Sequence, residues 1–214
     1  MNQIRDILNV YFIMGSQDCP GQKPEWVLEE AIAGGITCFQ FREKNSGLHM
    51  HQAVELGKRL QAICKRNSIP FIVNDRVDLA LILDADGVHI GQEDLPAREV
   101  RKLIGNQRIL GVSAKTPAEA LAARQDGADY IGVGPMFATL SKPDAGQAIG
   151  PERISEIRKF TGFEFPIVGI GGINPQNANL VLEAGADGVA VISAISGSKS
   201  PAEAAKKLKL RISG

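Results

Sequence analysis

Gly185-Ala186-Asp187-Gly188-Val189 repeats a pattern that also occurs as Asp84-Ala85-Asp86-Gly87-Val88 and Gly127-Ala128-Asp129-Tyr130-Ile131. In each copy a Gly or Asp suited to ending a helix precedes Ala-Asp, and an apolar run follows. The pattern fits a helix end and a tight turn into the next strand. The three aspartates would then lie where strands begin, so we expect them to have a structural role.

Outward from these turns, short runs rich in Ile and Val alternate with amphipathic stretches. The runs are mostly apolar throughout, which is typical of parallel strands that are buried on both faces. The predicted strands span residues 9–14, 36–41, 71–73, 87–90, 109–112, 130–133, 167–170 and 188–192. Predicted helices include 25–33, 51–66, 117–125, 151–160, 175–183 and 201–210, several with Pro in the first turn.

Eight β/α units in 214 residues favour an α/β fold of the (β/α)8, or TIM-barrel, type. We predict one such domain over residues 1–214, with its active site at the carboxyl ends of the strands. A doubly wound open sheet is the alternative, but no Gly-x-Gly-x-x-Gly follows the first strand to support a dinucleotide site.

Composition argues against several classes of partner. The formal net charge is zero and like charges form no long block, whereas nucleic acids and anionic membranes attract a basic surface. No apolar run approaches the ~20 residues of a membrane span, and the amino end lacks a signal-peptide pattern. Cys38 and Cys64 show no metal-ligand spacing and are expected to fill the core. These features predict a cytoplasmic protein that binds neither nucleic acid nor membranes.

Two carboxylates and two cations follow consecutive predicted strands. Arg42 and Lys44 follow the second strand, Asp75 follows the third, and Asp94 follows the fourth after Gly91-Gln92. Mg²⁺ prefers oxygen ligands, and Arg and Lys hold the phosphate oxygens that the metal bridges. The group therefore predicts a magnesium–diphosphate site, with Asp75 and Asp94 as ligands. Each aspartate could instead cap the helix that follows it.

A second group of residues predicts a phosphate site at the carboxyl ends of strands six to eight, across the barrel from the first group. The long loop 134–150 carries Thr139, Ser141 and Lys142, which offer two hydroxyls and a cation. The seventh strand ends in Gly169-Ile170-Gly171-Gly172, where backbone N–H groups can approach an anion closely. TIM barrels commonly bind phosphate after strands seven and eight. Two phosphorylated substrates are therefore expected.

His89 and Ser113 have weaker signals. His89 lies within the fourth strand, where a hydrogen-bonded core histidine is expected more often than a catalytic base. Ser113 ends the fifth strand, and no activating partner is evident for it in the sequence. We therefore expect Ser113 to donate or accept a hydrogen bond and not to act as a nucleophile.

From about Val10 to its end, the chain resembles the thiamine phosphate synthase family. The residues that carry the resemblance are Gln40-Phe41-Arg42-Glu43-Lys44, Asn74-Asp75-Arg76-Val77-Asp78, the segment 85–94, Gly132-Val133-Gly134-Pro135 and Gly169-Ile170-Gly171-Gly172-Ile173. The resemblance implies a (β/α)8 barrel, in agreement with the pattern of strands. It also implies that a pyrimidine diphosphate is joined to a thiazole phosphate, or to its carboxylated form, to give thiamine phosphate and pyrophosphate.

The resemblance implies a role for each matching residue. The pyrimidine diphosphate would contact Gln40, Phe41, Arg42, Glu43, Lys44, Asn74, Ser113 and Lys142. The thiazole phosphate would contact Thr139, Leu140, Ser141, Gly172, Ile192 and Ser193. Asp75 and Asp94 would hold one Mg²⁺ per active site, and Arg42, Lys44, Lys142 and Ser113 would serve catalysis. A homo-oligomer remains open.

The chain departs from the family pattern at two places. The loop has Ala138 and Ser141 where the family usually has proline and threonine, and Lys115 stands where many members have histidine. A related thiazole tautomerase is one alternative, but it would want a histidine base near Lys115. A catalytically silent barrel that senses a phosphorylated metabolite is another, although a sensor would be expected to have lost Asp75 or Asp94.

Overall fold

The computed structural model describes residues 2–139, 141 and 146–212. Within these ranges eight parallel strands pair in chain order, and the last strand pairs with the first to close a barrel. The strands are β1 Val10–Met14, β2 Cys38–Phe41, β3 Phe71–Asn74, β4 Gly87–Ile90, β5 Ile109–Ala114, β6 Tyr130–Val133, β7 Ile167–Ile170 and β8 Gly188–Val191. The predicted (β/α)8 barrel is confirmed, and the open sheet is wrong.

Except for the first helix, which precedes β1, the helices follow the strands around the outside of the barrel. They are α1 Asn2–Leu8, α2 Pro24–Gly34, α3 Met50–Arg66, α4 Val77–Ile82, α5 Ala97–Ile104, α6 Pro117–Gln125, α7 Glu152–Thr161, α8 Ala178–Glu183, α9 Ser193–Ser196 and α10 Pro201–Ile212. In the part of the chain described here, no helix combines the length and the apolar character needed to cross a bilayer.

The largest differences from the predicted helices are at α8 and α1. The sequence pattern placed the start of α8 at residue 175, but Asn174 and Asn177 bond each other across a turn, and the helix starts at Ala178. Side chains that bond nearby backbone compete with helix formation in this way. Helix α1 was not predicted, and its Ile4 and Ile7 pack against the barrel interior from the amino end.

The strands are buried on both faces, as their apolar character predicts. On β1, Tyr11 and Ile13 face the barrel interior, while Phe12 and Met14 pack under the helices. This alternation follows from the two-residue period of a strand. Cys38 lies in the interior and Cys64 in the outer layer, both buried, which confirms them as core residues.

The repeated aspartates bind the backbone where strands begin. Each one precedes an even-numbered strand, and its Oδ2 accepts the N–H at or near the start of the odd-numbered strand before it. These bonds are 2.8 Å from Phe71 to Asp86, 2.7 Å from Leu110 to Asp129 and 2.7 Å from Ile167 to Asp187. Thr37 does the same for the first pair, because its Oγ1 accepts the N–H of Val10 at 2.9 Å. The predicted structural role is confirmed.

Two arginines stabilise the turns at Asp129 and Asp187 by donating hydrogen bonds to the aspartate and to nearby carbonyls. Arg158 donates to Asp187 at 2.7 Å and to the carbonyls of Gly162, Phe165 and Gly185. Arg101 donates to Asp129 and to the carbonyls of Gly105, Arg108 and Gly127. The Arg158 side chain is only 4% exposed, so it is a buried cation, and each of its three nitrogens donates to an acceptor.

We predict that Arg158→Met lowers the free energy of unfolding by about 3–5 kcal/mol, because the change removes the buried cation that Asp187 pairs with and takes a donor from several carbonyls. Urea denaturation followed by circular dichroism measures the change. Lys159→Met is the matched control, since Lys159 is exposed on the same helix and should change stability by less than about 0.5 kcal/mol. Equal stability of the two variants would contradict this role of Arg158.

Candidate active site

A cavity of about 980 Å³ opens at the carboxyl ends of the strands. Loops that follow β2 to β8 all contribute to its wall, which brings together residues far apart in the chain. Predicted site residues in the wall are Arg42, Lys44, Asn74, Asp75, Asp94, Ser113, Thr139, Ser141, Gly172, Ile192 and Ser193. Leu140 and Lys142 lie outside the described residues.

Three predicted residues of the β2 segment lie outside the cavity wall formed by the described residues. Gln40 points into the barrel interior and donates to the Tyr11 hydroxyl at 2.8 Å. Phe41 faces the opposite way and packs against Phe71 in the outer layer. Glu43 accepts hydrogen bonds from the N–H and hydroxyl of Ser16, so it fastens the β1 loop beside the site.

The cationic side of the cavity is formed by Arg42 and Lys44. Arg42 is 5% exposed, and its backbone N–H continues the β1–β2 ladder by donating to Met14 at 3.0 Å. Its carbonyl accepts from Gln17 of the β1 loop at 2.8 Å. Lys44 extends across to β3, where its Nζ lies 3.0 Å from Asp75 Oδ2. Lys44 is therefore held next to a carboxylate, and Arg42 lines the same cavity.

Asp75 and Asp94 do not cap helices, in contrast to the alternative drawn from the sequence. The residues at the N-caps of α4 and α5 are Arg76 and Pro96, and neither helix has a side-chain cap bond. Asp75 has a φ of 60°, a left-handed conformation that is uncommon for a residue with a Cβ. Asp94 Oδ2 accepts the N–H of Gly91 at 2.7 Å, which folds the β4 loop back on itself.

The two carboxyl groups are close enough to change each other's protonation. Burial favours the neutral form of Asp75, but hydrogen bonds with Lys44 and Asp94 outweigh it and lower the pKa of Asp75. Burial raises the pKa of Asp94, and the adjacent Asp75 raises it further, against the opposing bond from Gly91. Like charges held together in this way favour a shared cation.

The carboxylate pair fits a magnesium ion. Among the described residues no cluster of three or more His, Cys, Asp or Glu side chains has the arrangement of a metal site. A two-carboxylate site suits Mg²⁺, which usually takes one or two carboxylates and completes its shell with water and substrate phosphate. A metal that needs a full set of protein ligands, such as structural zinc, would not be satisfied by this pair.

Hydroxyls and a glycine turn form the opposite side of the cavity. Ser141 donates to Ser193 at 2.9 Å, which joins the long β6 loop to the start of α9. Gly172 has a φ of 65°, and a Cβ there would lie 2.6 Å from the Ala138 carbonyl. Only glycine therefore lets the β7 turn and the β6 loop approach each other this closely. The arrangement offers hydroxyl and N–H donors to an anion.

The floor of the cavity contains a contact that sequence reasoning missed. His89 Nε2 lies 3.0 Å from Ser113 Oγ, so Ser113 has a hydrogen-bond partner that was not evident in the sequence. His89 Nδ1 lies 3.0 Å from the Tyr130 hydroxyl, which confirms a hydrogen-bonded core histidine. Gln92 was also missed as a site residue, and its amide donates to the Ser113 carbonyl at 2.6 Å. Its position between Gly91 and Asp94 was the available signal.

The chain is similar to known proteins over nearly its whole length. A family model described as thiamine monophosphate synthase matches residues 10–195. Thiamine-phosphate synthase of Geobacillus kaustophilus (strain HTA426) is 52% identical over 207 residues, 96% of this chain and 92% of the relative. That of Bacillus licheniformis is 50% identical over 210 residues, 98% and 92% of the two chains. A solved thiamine phosphate pyrophosphorylase from Pyrococcus furiosus has a TM-score of 0.87 and 37% identity, with 98% of each chain covered.

We predict that Asp75→Asn and Asp94→Asn each weaken Mg²⁺ binding by more than about tenfold, the lower end of the loss seen when groups around a metal are removed. The reason is that each change would remove one of the two anionic ligands expected for the metal. Isothermal titration calorimetry with Mg²⁺ and inorganic pyrophosphate measures the affinity.

Asp78→Asn is the control for these variants, because Asp78 is exposed and pairs with Arg76 outside the cavity wall. Its affinity for Mg²⁺ should match that of the unchanged protein. If all three variants bind Mg²⁺ equally, the carboxylate pair is not the metal site.

Proposed function

Because this chain belongs to the thiamine monophosphate synthase family, we propose that it joins 4-amino-2-methyl-5-(diphosphooxymethyl)pyrimidine to 4-methyl-5-(2-phosphoethyl)thiazole, or to the carboxylated thiazole. The chain is an enzyme, a transferase of the thiamine-phosphate diphosphorylase class. In the proposed reaction the pyrimidinylmethyl group moves to the thiazole nitrogen, and the products are thiamine phosphate and pyrophosphate.

One observation carries this proposal: a single cavity has two chemically different sides. Arg42, Lys44 and the carboxylate pair lie on one side, which suits a diphosphate with its metal. The hydroxyls of Ser141 and Ser193 lie on the other, which suits a phosphate monoester. Two phosphorylated substrates that bind from opposite sides would place their reacting ends together between them.

The diphosphate side would stabilise the leaving group. Arg42 and Lys44 supply fixed positive charge near oxygens on which negative charge grows as the bond to carbon breaks. Asp75 and Asp94 would hold Mg²⁺, which when bound supplies further positive charge beside those oxygens. Lys142 lies outside the described residues, and its part in this group remains a proposal from the resemblance.

The reaction proposed needs no general base. An electron-rich aminopyrimidine can stabilise a cation at its exocyclic methylene, so the bond to the diphosphate can break before the new bond forms. The thiazole nitrogen then attacks with its own lone pair, and no proton has to be removed. Positioning and electrostatic stabilisation would therefore account for most of the rate.

Contacts on the thiazole side follow from the same proposal. Thr139, Ser141 and Ser193 would donate to the phosphate oxygens, with Gly172 and Ile192 lining the space beside them. Asn74 and Ser113 also line the cavity, and they would contact the pyrimidine. The full proposal also includes one domain over residues 1–214, a cytoplasmic location and small-molecule partners, with a homo-oligomer left open.

We predict that the protein, mixed with both phosphorylated heterocycles and Mg²⁺, releases pyrophosphate and forms thiamine phosphate in equal amounts. Coupled phosphate detection and mass spectrometry measure the two products. Omitting either heterocycle or chelating the metal should stop the release. Pyrophosphate release without the thiazole would instead indicate a hydrolase, and tight binding without turnover would indicate a sensor.

Lys44→Met tests the leaving-group assignment. We expect the single-turnover rate to fall about a hundredfold to a thousandfold, the usual effect of removing one donor aimed at developing charge. Affinity for the pyrimidine diphosphate should fall less, since most of the gain lies in the transition state.

The control is Lys58→Met, which removes an exposed cation on α3 that pairs with Glu55. Its rate should equal that of the unchanged enzyme. If Lys44→Met also keeps its rate within about twofold, Lys44 does not stabilise the leaving group.

A further inference from the structure

A continuous chain of hydrogen bonds crosses the barrel interior and ends at the floor of the cavity. Gln40 Nε2 donates to the Tyr11 hydroxyl at 2.8 Å, and that hydroxyl lies 2.8 Å from the hydroxyl of Tyr130. Tyr130 lies 3.0 Å from His89 Nδ1, and His89 Nε2 lies 3.0 Å from Ser113 Oγ. The chain therefore joins β2, β1, β6, β4 and β5.

We propose that His89 is a positioning residue that sets the direction of the Ser113 hydroxyl, so that Ser113 donates its proton to an acceptor atom of the bound heterocycle. The inference rests on the proposed function, because it concerns how the same cavity recognises the pyrimidine. His89 would act through Ser113, with its orientation and tautomer set by Tyr130.

Backbone glycines make room for this chain. Gly111 pairs with His89 and with Tyr130 in the β-ladders, and a Cβ at Gly111 would overlap both rings. A Cβ at Gly132 would lie 3.1 Å from His89 Cε1. Two glycines on adjacent strands thus leave space on the inner face that the two rings fill, so the rings are held where their hydrogen bonds form.

The residues that form this series of hydrogen bonds are buried, so an unpaired donor or acceptor among them would be costly. Tyr11 and Tyr130 are 1% exposed, Gln40 is 2% exposed and His89 is 8% exposed. Burial raises the pKa of both tyrosines well above the usual value, so both phenols keep their protons. A buried polar group without a partner is costly, and each hydroxyl is therefore expected to donate as well as accept.

The amide of Gln40 sets the direction of donation. Since Gln40 donates to Tyr11, the Tyr11 proton is available to Tyr130, and the Tyr130 proton to His89 Nδ1. Cys38 also lies near the Tyr11 hydroxyl, but a thiol sulfur is a weaker acceptor than a phenol oxygen.

His89 then accepts a hydrogen bond at Nδ1 and donates one from Nε2 to Ser113 Oγ. The Ser113 proton is left to point into the cavity. With this tautomer His89 would not activate Ser113 as a nucleophile, because Nε2 already carries a proton and cannot take the one from serine.

The first test is the tautomer itself in the unchanged protein. Nitrogen-15 chemical shifts distinguish protonated from unprotonated ring nitrogens, and the chain has three histidines, of which His49 and His51 are exposed references. We expect Nε2 of His89 to carry the proton and Nδ1 to be bare. A proton on Nδ1 would mean that the hydrogen bonds from Gln40 to Ser113 run in the opposite direction, and it would overturn the proposal. This measurement needs no variant and no substrate.

The second test separates positioning from simple packing. His89→Leu should raise KM for the pyrimidine diphosphate by up to about tenfold, the worth of a well-placed hydrogen bond. His89→Gln, which keeps an amide donor toward Ser113, should recover most of that loss. The surface control His51→Gln should leave KM unchanged.

A double-mutant cycle completes the test. If His89 acts through Ser113, then adding His89→Leu to Ser113→Ala should change KM by less than about twofold. The full effect of His89→Leu in the Ser113→Ala background would mean that His89 acts by another route, and the proposal would be overturned. Tyr130→Phe keeps the ring but removes the donor to Nδ1, so it should mix the tautomers of His89.

Failure of this inference can be told apart from failure of the proposed function. If the unchanged protein forms no thiamine phosphate, the proposed function fails, whereas the tautomer measurement still decides the direction of the chain. If product forms but the effects of His89 and Ser113 are independent, only the positioning role fails.

Discussion

The barrel depends on one hydrogen bond that recurs at its amino end. The residue that precedes each even-numbered strand uses its side chain to accept a backbone N–H from the start of the preceding odd-numbered strand. The acceptors are Thr37, Asp86, Asp129 and Asp187. Most strands have four residues and few ladder bonds of their own, so these caps fix where each pair of strands starts. A slip of one residue would exchange inward and outward side chains. The same caps therefore determine which residues reach the cavity.

Because the amino end of the barrel supplies this order, the carboxyl end can hold groups that do not favour folding. Asp75 adopts a left-handed backbone conformation, and its carboxylate lies against that of Asp94. Lys44 offsets part of the repulsion through its ion pair with Asp75. Strain and like charge are usual where a fold prepares a site for a ligand. The stabilising turns and the candidate active site thus lie at opposite ends of the same strands, as is usual for this architecture.

The interior of the barrel connects the two ends. Toward the amino end the interior is apolar, and Ile72 and Val168 belong to the cluster against which α1 packs. The polar groups lie nearer the carboxyl ends of the strands. Tyr11, Tyr130 and His89 are costly to bury singly, but in a chain each satisfies the next. A floor held in this way cannot easily rearrange, which suits an enzyme whose rate would come from positioning substrates and stabilising charge.

Sequence patterns alone were enough to predict the eight-stranded barrel, and eleven of the predicted site residues lie in the cavity wall. Strand and helix periods are local, and motifs such as Arg42 to Lys44 follow strands whose ends must meet in a parallel barrel. Alternation along β2 could also have shown that Phe41 faces the helices and not the cavity. The contact between His89 and Ser113 became visible only in the folded structure, because the two residues are 24 positions apart in the sequence. It depends on how β4 and β5 are aligned and on the space that Gly111 leaves between them. For the same reason the sequence did not show that Thr37 has the same role as the three aspartates. Its position in space, and not its residue type, makes its side chain an acceptor for the Val10 N–H of β1.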